Sequence, residues 1–246
     1  MFDEDELVEE LSEYFNLPRD EARHYLLEGN VYYREEWNRL FGPHPPKTKE
    51  EIEEFYKKSM FAAFDLAKWH RNDNMVEFHG RKRSFYERYA FEAMNYLEHL
   101  PKKVKVFDFG GGIGSMDIRI AEMGHDVTSY DIGEKTQGLA RFRAKKRGLD
   151  IKFVNEIPRE KFDVVICYDV LEHVFDIESC IKKISDLLVP GGHAFIKVTF
   201  PTGGNEDREN PSHLQKHVGW TIRTLFPILR RHGLYGNDSD THFIKR

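Results

Sequence analysis

The hydrophobic pattern of the chain divides it into two regions. In the first hundred residues, apolar side chains such as Leu7, Val8 and Leu11 recur at the spacing of an α-helix. From Val104 onward, short apolar runs alternate with helical patterns, which is typical of a doubly wound, mostly parallel sheet. We therefore predict an α/β fold with a helical N-terminal extension over residues 1–100 and a sheet domain over residues 101–246.

Turn and capping signals subdivide the extension. The pattern predicts helices at about 7–15, 20–28, 48–69 and 84–100. Gly29-Asn30 should end the second helix, and the segment 41–47 (FGPHPPK) reads as a linker. We expect residues 48–100 to pack over the ligand cleft of the sheet domain, and residues 1–40 to be more easily detached.

The same signals subdivide the sheet domain. They predict strands at 104–109, 126–130, 151–154 and 162–168, a fifth strand after the turn at 190–192, and a closing strand at 241–245. Helices are expected at about 116–123, 134–147, 177–188 and 220–232.

The first strand of the sheet domain leads into a glycine-rich turn. Gly110, Gly111, Gly112 and Gly114 occupy four of five positions, and a helical pattern follows. Glycines allow backbone N–H groups to approach a ligand that a Cβ would exclude, and the helix N-terminus faces the same place. The stretch therefore predicts a nucleotide-binding unit.

Two ligand classes use such a turn. A dinucleotide fold favours GxGxxG, but Ser115 stands where the third glycine belongs. The pattern DxGxGxG is complete, with Asp108 at its start. An acidic strand end repels a pyrophosphate and suits a cationic ligand such as S-adenosylmethionine.

Composition limits the classes of function. The chain has 246 residues and a formal net charge of -5, so general binding of nucleic acid is not expected. The basic clusters 81–83 and 143–147 are interpreted as solvated helix faces. Two cysteines, Cys167 and Cys180, predict reduced core thiols and a cytoplasmic protein. The acidic N-terminus does not resemble a signal peptide, and no apolar run is long enough for a membrane span.

A second motif refines this interpretation. Residues 169–174 read DVLEHV, and the turn at 190–192 reads PGG. With the glycine motif, these features resemble the class I S-adenosylmethionine-dependent methyltransferases, which have a Rossmann-like fold. The 169–174 block is similar to that of the ubiquinone-biosynthesis and sugar O-methyltransferase type, although Asp169 replaces the usual Glu. The NPPY or DPPY tetrapeptide of amine-directed enzymes is absent from the sequence.

The resemblance implies a cofactor site at the carboxyl ends of the strands. Asp131, 23 residues beyond Asp108, is expected to bind the ribose hydroxyls, and residues 155–156 to lie near the adenine. The full set of expected cofactor-binding residues is Asp108, Phe109, Gly110, Gly111, Gly112, Gly114, Asp131, Ile132, Asn155, Glu156 and Tyr168. Arg83, Tyr86 and Tyr89 are further candidates for the methionine end or the substrate.

Methyl transfer to a hydroxyl also requires removal of a proton or a lowered hydroxyl pKa. The candidate catalytic residues are Asp169, His173 and His213, with His217 one helical turn beyond His213. Some relatives with an ExxEH block bind a divalent ion there. The resemblance implies the ligands Asp169, Glu172, His173 and His213 or His217 for Mg, Mn or Zn. A metal-free site built from the same residues fits the sequence as well.

Several functions remain open at this stage. The leading hypothesis is a methyltransferase that acts on a hydroxyl of a small molecule, such as a sugar or a phenol. The alternatives are a methyltransferase for RNA or protein, and a non-catalytic relative that binds a cofactor or a partner. A nicotinamide-dependent dehydrogenase is the most remote.

Overall fold

A seven-stranded sheet carries the glycine motif in its central strand. The structure is a computed structural model that describes residues 2–72, 75–203, 211–236 and 239–246. The strands of these residues are β1 (Val76–Phe78), β2 (Arg81–Arg83), β3 (Lys105–Phe109), β4 (Asp126–Tyr130), β5 (Lys152–Val154), β6 (Phe162–Tyr168), β7 (Leu188–Lys197), β8 (Leu234–Gly236) and β9 (His242–Lys245).

Helices cover this sheet and form the N-terminal extension. They are α1 (Glu4–Phe15), α2 (Arg19–Leu27), α3 (Gly29–Phe41), α4 (Lys49–Lys58), α5 (Phe61–Trp69), α6 (Phe85–Tyr89), α7 (Phe91–Glu98), α8 (Ser115–Glu122), α9 (Glu134–Lys146), α10 (Ile177–Leu187) and α11 (Phe226–Arg231).

The sheet has the strand order β5-β4-β3-β6-β7-β9-β8. Strands β3 to β7 pair in parallel, whereas β9 is antiparallel to both β7 and β8. The predicted doubly wound, Rossmann-like sheet is confirmed. Strand order reverses between β3 and β6, and ligands in such sheets bind at the carboxyl ends beside this reversal.

Two of the helices predicted in the extension are broken. The helix expected over 48–69 stops at Ser59, whose hydroxyl accepts the Ala62 N–H and so caps α5. The helix expected over 84–100 bends at Ala90. There Lys197 donates to the carbonyl of Tyr89, an oxygen that a continuous helix would need for its own ladder.

Helix α2 ends at Leu27, just before Gly29-Asn30 as predicted, but the chain becomes helical again at Gly29. This residue begins α3, and a Cβ at Gly29 would lie 3.0 Å from the backbone of Asp65. Its lack of a side chain permits close approach of α3 to α5. The 190–192 turn also differs from expectation, since it lies inside β7, where the pairing with β6 shifts register. Pro227, in the first turn of α11, marks a later start than the predicted residue 220.

The extension shares its core with the sheet domain. Leu7, Val8 and Leu11 of α1 are buried in the same apolar cluster as Ile113 and Leu139. This burial conflicts with the expectation that residues 1–40 detach easily. The boundary near residue 100 remains a prediction.

The basic cluster at 143–147 attaches α1 to α9. Arg143 is completely buried and bonds to Glu10 at 2.8 Å, and Arg147 pairs with Glu6 and Glu10. Lys146 bridges Glu9 and Glu13 at 2.9 and 3.0 Å. The interpretation of this cluster as a solvated face is wrong for Arg143.

Two expectations from composition can also be compared with the structure. Cys167 and Cys180 are buried free thiols, as predicted. Within the described ranges, every helix is too short or too polar to cross a bilayer.

Leu11→Ala should show whether the extension folds with the sheet domain. Removing this fully buried side chain should lower the free energy of unfolding by about 2–5 kcal/mol, measured by urea denaturation. Glu13→Ala is the matched control on the exposed side of α1, and should cost less than about 1 kcal/mol. If Leu11→Ala changed stability no more than this control, the shared core would be contradicted.

Candidate active site

The glycine turn, residues 110–114, adopts a backbone that favours glycine. Gly110, Gly112 and Gly114 have φ values of 92°, 54° and 73°. A Cβ at Gly110 would overlap Val170, and one at Gly114 would lie 2.9 Å from the Cβ of Ala140. The turn is therefore packed between the segment after β6 and helix α9, and its backbone can face a ligand.

Two buried carboxyl groups lie beneath this turn. Asp108 is in β3, and Asp117 is in the first turn of α8. Burial, and then the neighbouring carboxyl of Asp117, raises the pKa of Asp108 well above its ordinary value. Burial also raises the pKa of Asp117. Two such groups favour a shared proton or a nearby cation.

Asp131 connects the end of β4 to the glycine turn. Its Oδ2 accepts the Gly112 N–H at 2.9 Å. Its Oδ1 accepts the Gly133 N–H at 2.7 Å and the Thr136 hydroxyl at 3.0 Å. Burial raises its pKa. A carboxylate has about four acceptor positions, so a ligand hydroxyl would share these oxygens with the protein donors.

The other predicted cofactor residues lie at the same edge of the sheet. Phe109 and Tyr168 are the last residues of β3 and β6, and Ile132 follows Asp131. Asn155 and Glu156 follow β5 and are exposed, with the Asn155 side chain accepting from Arg141 at 3.3 Å. The parallel order of the strands brings these ends together.

Residues of the extension contact the glycine turn and the start of α8; that residues 48–100 cover a cofactor cleft stays a prediction. Leu66 of α5 lies 3.0 Å from the Cβ position of Gly112. His70 bonds to Ser115 at 2.9 Å, and its ring contacts that of Tyr86, tilted by 34° with centroids 3.9 Å apart. Arg83 lies elsewhere, over the ring of Phe91 at 4.6 Å.

Asp169 follows β6 in a left-handed conformation, with φ of 53°. Its Oδ1 accepts the Tyr89 hydroxyl at 2.7 Å and the Thr199 hydroxyl at 2.9 Å. Lys197, at the end of β7, lies over the rings of Tyr89 and Tyr168 at 4.6 and 5.4 Å. Burial lowers the Lys197 pKa.

A cluster of three possible metal ligands lies next to this group. Ligand atoms of Glu172, His173 and His213 are all within 4.8 Å of one another. Glu172 is fully buried: its Oε1 accepts the Thr199 N–H at 3.0 Å, and its Oε2 has no hydrogen-bond partner among the described residues. This oxygen is the clearest sign that the cluster accepts a ligand. Asp169 is not part of the cluster.

The surroundings keep both histidines of the cluster neutral. Burial lowers the pKa of His173 to about 3 and that of His213 to about 4. His173 Nδ1 lies 3.1 Å from the carbonyl oxygen of Ser212, which can only accept. The proton is therefore assigned to Nδ1, and the lone pair to Nε2.

His217 is not in the cluster. It packs against Phe200 and Trp220, with ring centroids 5.5 and 4.8 Å apart. The sequence patterns did not single out Asp117 or Lys197, although both lie at this edge of the sheet. Their positions in the sequence could have indicated this. Asp117 lies three residues after the glycine turn, and Lys197 is the last residue of β7, the strand beside β6.

Comparison with known proteins identifies the family. Residues 80–235, more than half of the chain, match the family model described as "Methyltransferase domain". The ubiquinone biosynthesis O-methyltransferase of Yersinia pestis (strain Pestoides F) is 30% identical over 170 residues, covering 56% of this chain and 68% of the relative.

Solved structures with low identity show the same fold. A magnesium protoporphyrin IX methyltransferase from Synechocystis PCC 6803 with bound SAH has a TM-score of 0.59 at 18% identity, covering 80% of this chain and 99% of that one. The [4+2]-cyclase SpnF has a TM-score of 0.56 at 19% identity, covering 79% and 76%. Since a cyclase shares the fold, the reaction is assigned from the family match and the site. On that basis the chain belongs to the S-adenosylmethionine-dependent methyltransferases.

Proposed function

We propose that this enzyme transfers the methyl group of S-adenosylmethionine to a hydroxyl of a small molecule of the sugar or phenol type. The observation that carries the proposal is the cluster of Glu172, His173 and His213 beside the predicted cofactor edge. It offers a proton acceptor or a metal site, and methyl transfer to a hydroxyl needs one of these. The relative named as an O-methyltransferase supports the same acceptor chemistry.

In this proposal the cofactor lies along the carboxyl ends of β3, β4 and β5. The methionine portion faces the backbone of the glycine turn, above the buried Asp108 and Asp117. Asp131 accepts hydrogen bonds from the ribose hydroxyls, and residues 155–156 border the adenine. The buried carboxyls favour the sulfonium cation, because opposite charges attract strongly in a low dielectric.

The residues of the cluster also fit a divalent ion. Glu172 supplies an oxygen without a partner, and two neutral imidazoles supply nitrogens, a mixed set that suits Mg, Mn or Zn. A bound ion would lower the pKa of an acceptor hydroxyl. The protein itself orients His173 through the Nδ1–H bond to Ser212 and holds Asp169 with Tyr89 and Thr199. In a metal-free site, His173 Nε2 or His213 would take the hydroxyl proton.

Asp131→Ala should weaken binding of adenosylhomocysteine by about tenfold to a hundredfold, since a hydrogen bond to a charged group contributes about 1.5–3 kcal/mol. Isothermal titration calorimetry measures this. Asp126→Ala is the control, because Asp126 lies at the opposite end of the same strand and pairs with Lys103. Unchanged affinity in Asp131→Ala would remove Asp131 from the cofactor site.

Metal binding can be measured on chelator-treated protein by titration with Mn²⁺, Mg²⁺ and Zn²⁺. His213→Ala and Glu172→Gln should each weaken binding by more than about tenfold, the lower limit for loss of an outer hydrogen-bond partner. His217→Ala, on the same segment but outside the cluster, should leave metal affinity unchanged. Activity that survives exhaustive chelation, with no metal found by elemental analysis, would exclude the ion and leave the histidines as bases.

The acceptor class can be tested with methyl-labelled cofactor and three separate pools: catechols with sugars, total RNA, and total protein. We expect label in the first pool, and less in the same pool with the His173→Ala variant. Label only in RNA or protein would contradict the small-molecule acceptor. Binding of adenosylhomocysteine without label in any pool would favour a non-catalytic relative, and binding of NAD instead would favour a dehydrogenase.

A further inference from the structure

The guanidinium of Arg143 lies between the N-terminal helix and the glycine turn. Its Nε donates to Glu10 of α1 at 2.8 Å. Its Nη1 donates to the carbonyl of Ile113 at 2.6 Å and to the hydroxyl of Ser115 at 3.0 Å. Ile113 is in the glycine turn, and Ser115 begins the helix that follows it. A single side chain therefore connects α1 to the turn.

Neighbouring contacts fix both ends of this connection. Arg147 also donates to Glu10, and the ring of Phe2 lies 4.2 Å from the Arg143 guanidinium carbon. On the far side, the Ser115 hydroxyl is also bonded to His70, the residue that follows α5. Two separate parts of the extension thus meet at Ser115.

The energetics of the ion pair argue against a role in stability alone. Arg143 and Glu10 are almost completely buried, and moving such charges out of water largely cancels their attraction. Arg143 Nη2 has no hydrogen-bond partner among the described residues, which adds a further cost. An apolar pair of similar volume would hold α1 against α9 equally well. It would not reach the carbonyl of Ile113 and the hydroxyl of Ser115 with directed donors.

We propose that Glu10 and Arg143 are positioning residues for the cofactor. They hold the turn at Ile113 and Ser115, and so fix the position of the glycine backbone that the methionine portion of the ligand would meet. The N-terminal helix is then part of the cofactor site, although Glu10 itself does not touch the ligand. This inference rests on the proposed function, which places the cofactor against residues 110–114.

The test compares two variants with a control in the full-length chain. Glu10→Gln removes the charge that holds Arg143, and Arg143→Lys keeps a charge but cannot reach three acceptors at once. Lys146→Met is the control, because Lys146 joins the same two helices through Glu9 and Glu13 without contacting the turn. Thermal denaturation is recorded first, and adenosylhomocysteine is then titrated at a temperature where each protein is fully folded.

We expect Glu10→Gln and Arg143→Lys to raise the Kd for adenosylhomocysteine by at least about fivefold, because a displaced turn backbone fits the ligand less closely. Lys146→Met should lower the melting temperature but keep the Kd within about twofold of the wild type. If both folded variants, or the only one that folds, stayed within the control range, the positioning role would be overturned. Failure of the wild type to bind would instead reject the cofactor site itself.

Discussion

The close packing of the glycine turn is the constraint on which the rest of the site depends. The turn contacts helix α9 at Ala140, the segment after β6 at Val170, and α5 at Leu66. Asp131 bonds to its backbone from β4. A larger side chain at Gly110 would displace the segment at Val170, and one at Gly114 would displace α9 at Ala140. The backbone conformation that a ligand would meet is set by all of these neighbours, and not by the local sequence alone.

The sheet edge that surrounds this turn is rich in buried carboxyl groups. Asp108, Asp117, Asp131 and Glu172 come from four different segments, and burial raises the pKa of each of them. Such an arrangement is costly without a compensating positive charge or a proton. The proposed sulfonium and the proposed divalent ion would each supply positive charge. Electrostatics thus links the two halves of the site, which the chain separates by more than 40 residues.

The sheet could be predicted from the sequence because each strand is a short apolar run with clear turn signals. The strand at Phe162–Tyr168 has the predicted bounds. The extension was harder, because its helix ends depend on tertiary contacts. The Ser59 hydroxyl accepts the Ala62 N–H inside an unbroken helical pattern, and Lys197, 108 residues away in sequence, donates to the carbonyl of Tyr89. The first contact is local, whereas the second joins distant parts of the chain and has no local sequence signal.

In the candidate site too, residues with a local sequence signal could be predicted and residues set by tertiary contacts could not. Motif residues at strand ends, such as Asp131 and His173, could be placed because parallel strands bring their ends together. Side chains whose role depends on packing could not be placed in this way. Arg143 belongs to a run of basic residues that looks exposed, and only the docking of α1 removes it from water. Periodicity identifies an apolar face, but it does not predict a buried charge that pairs with a residue 133 positions away.

That separation has a consequence for synthesis of the protein. Helix α1 leaves the ribosome before Arg143, which lies 133 positions beyond Glu10 in the chain. Contacts so distant in sequence form slowly, because a long loop must close before they are gained. Until then the apolar face of α1, with Leu7, Val8 and Leu11, lacks part of its core, including Ile113 and Leu139. The nascent chain thus carries a partly covered helix, and its complete burial follows synthesis of the sheet-domain residues that pack against it.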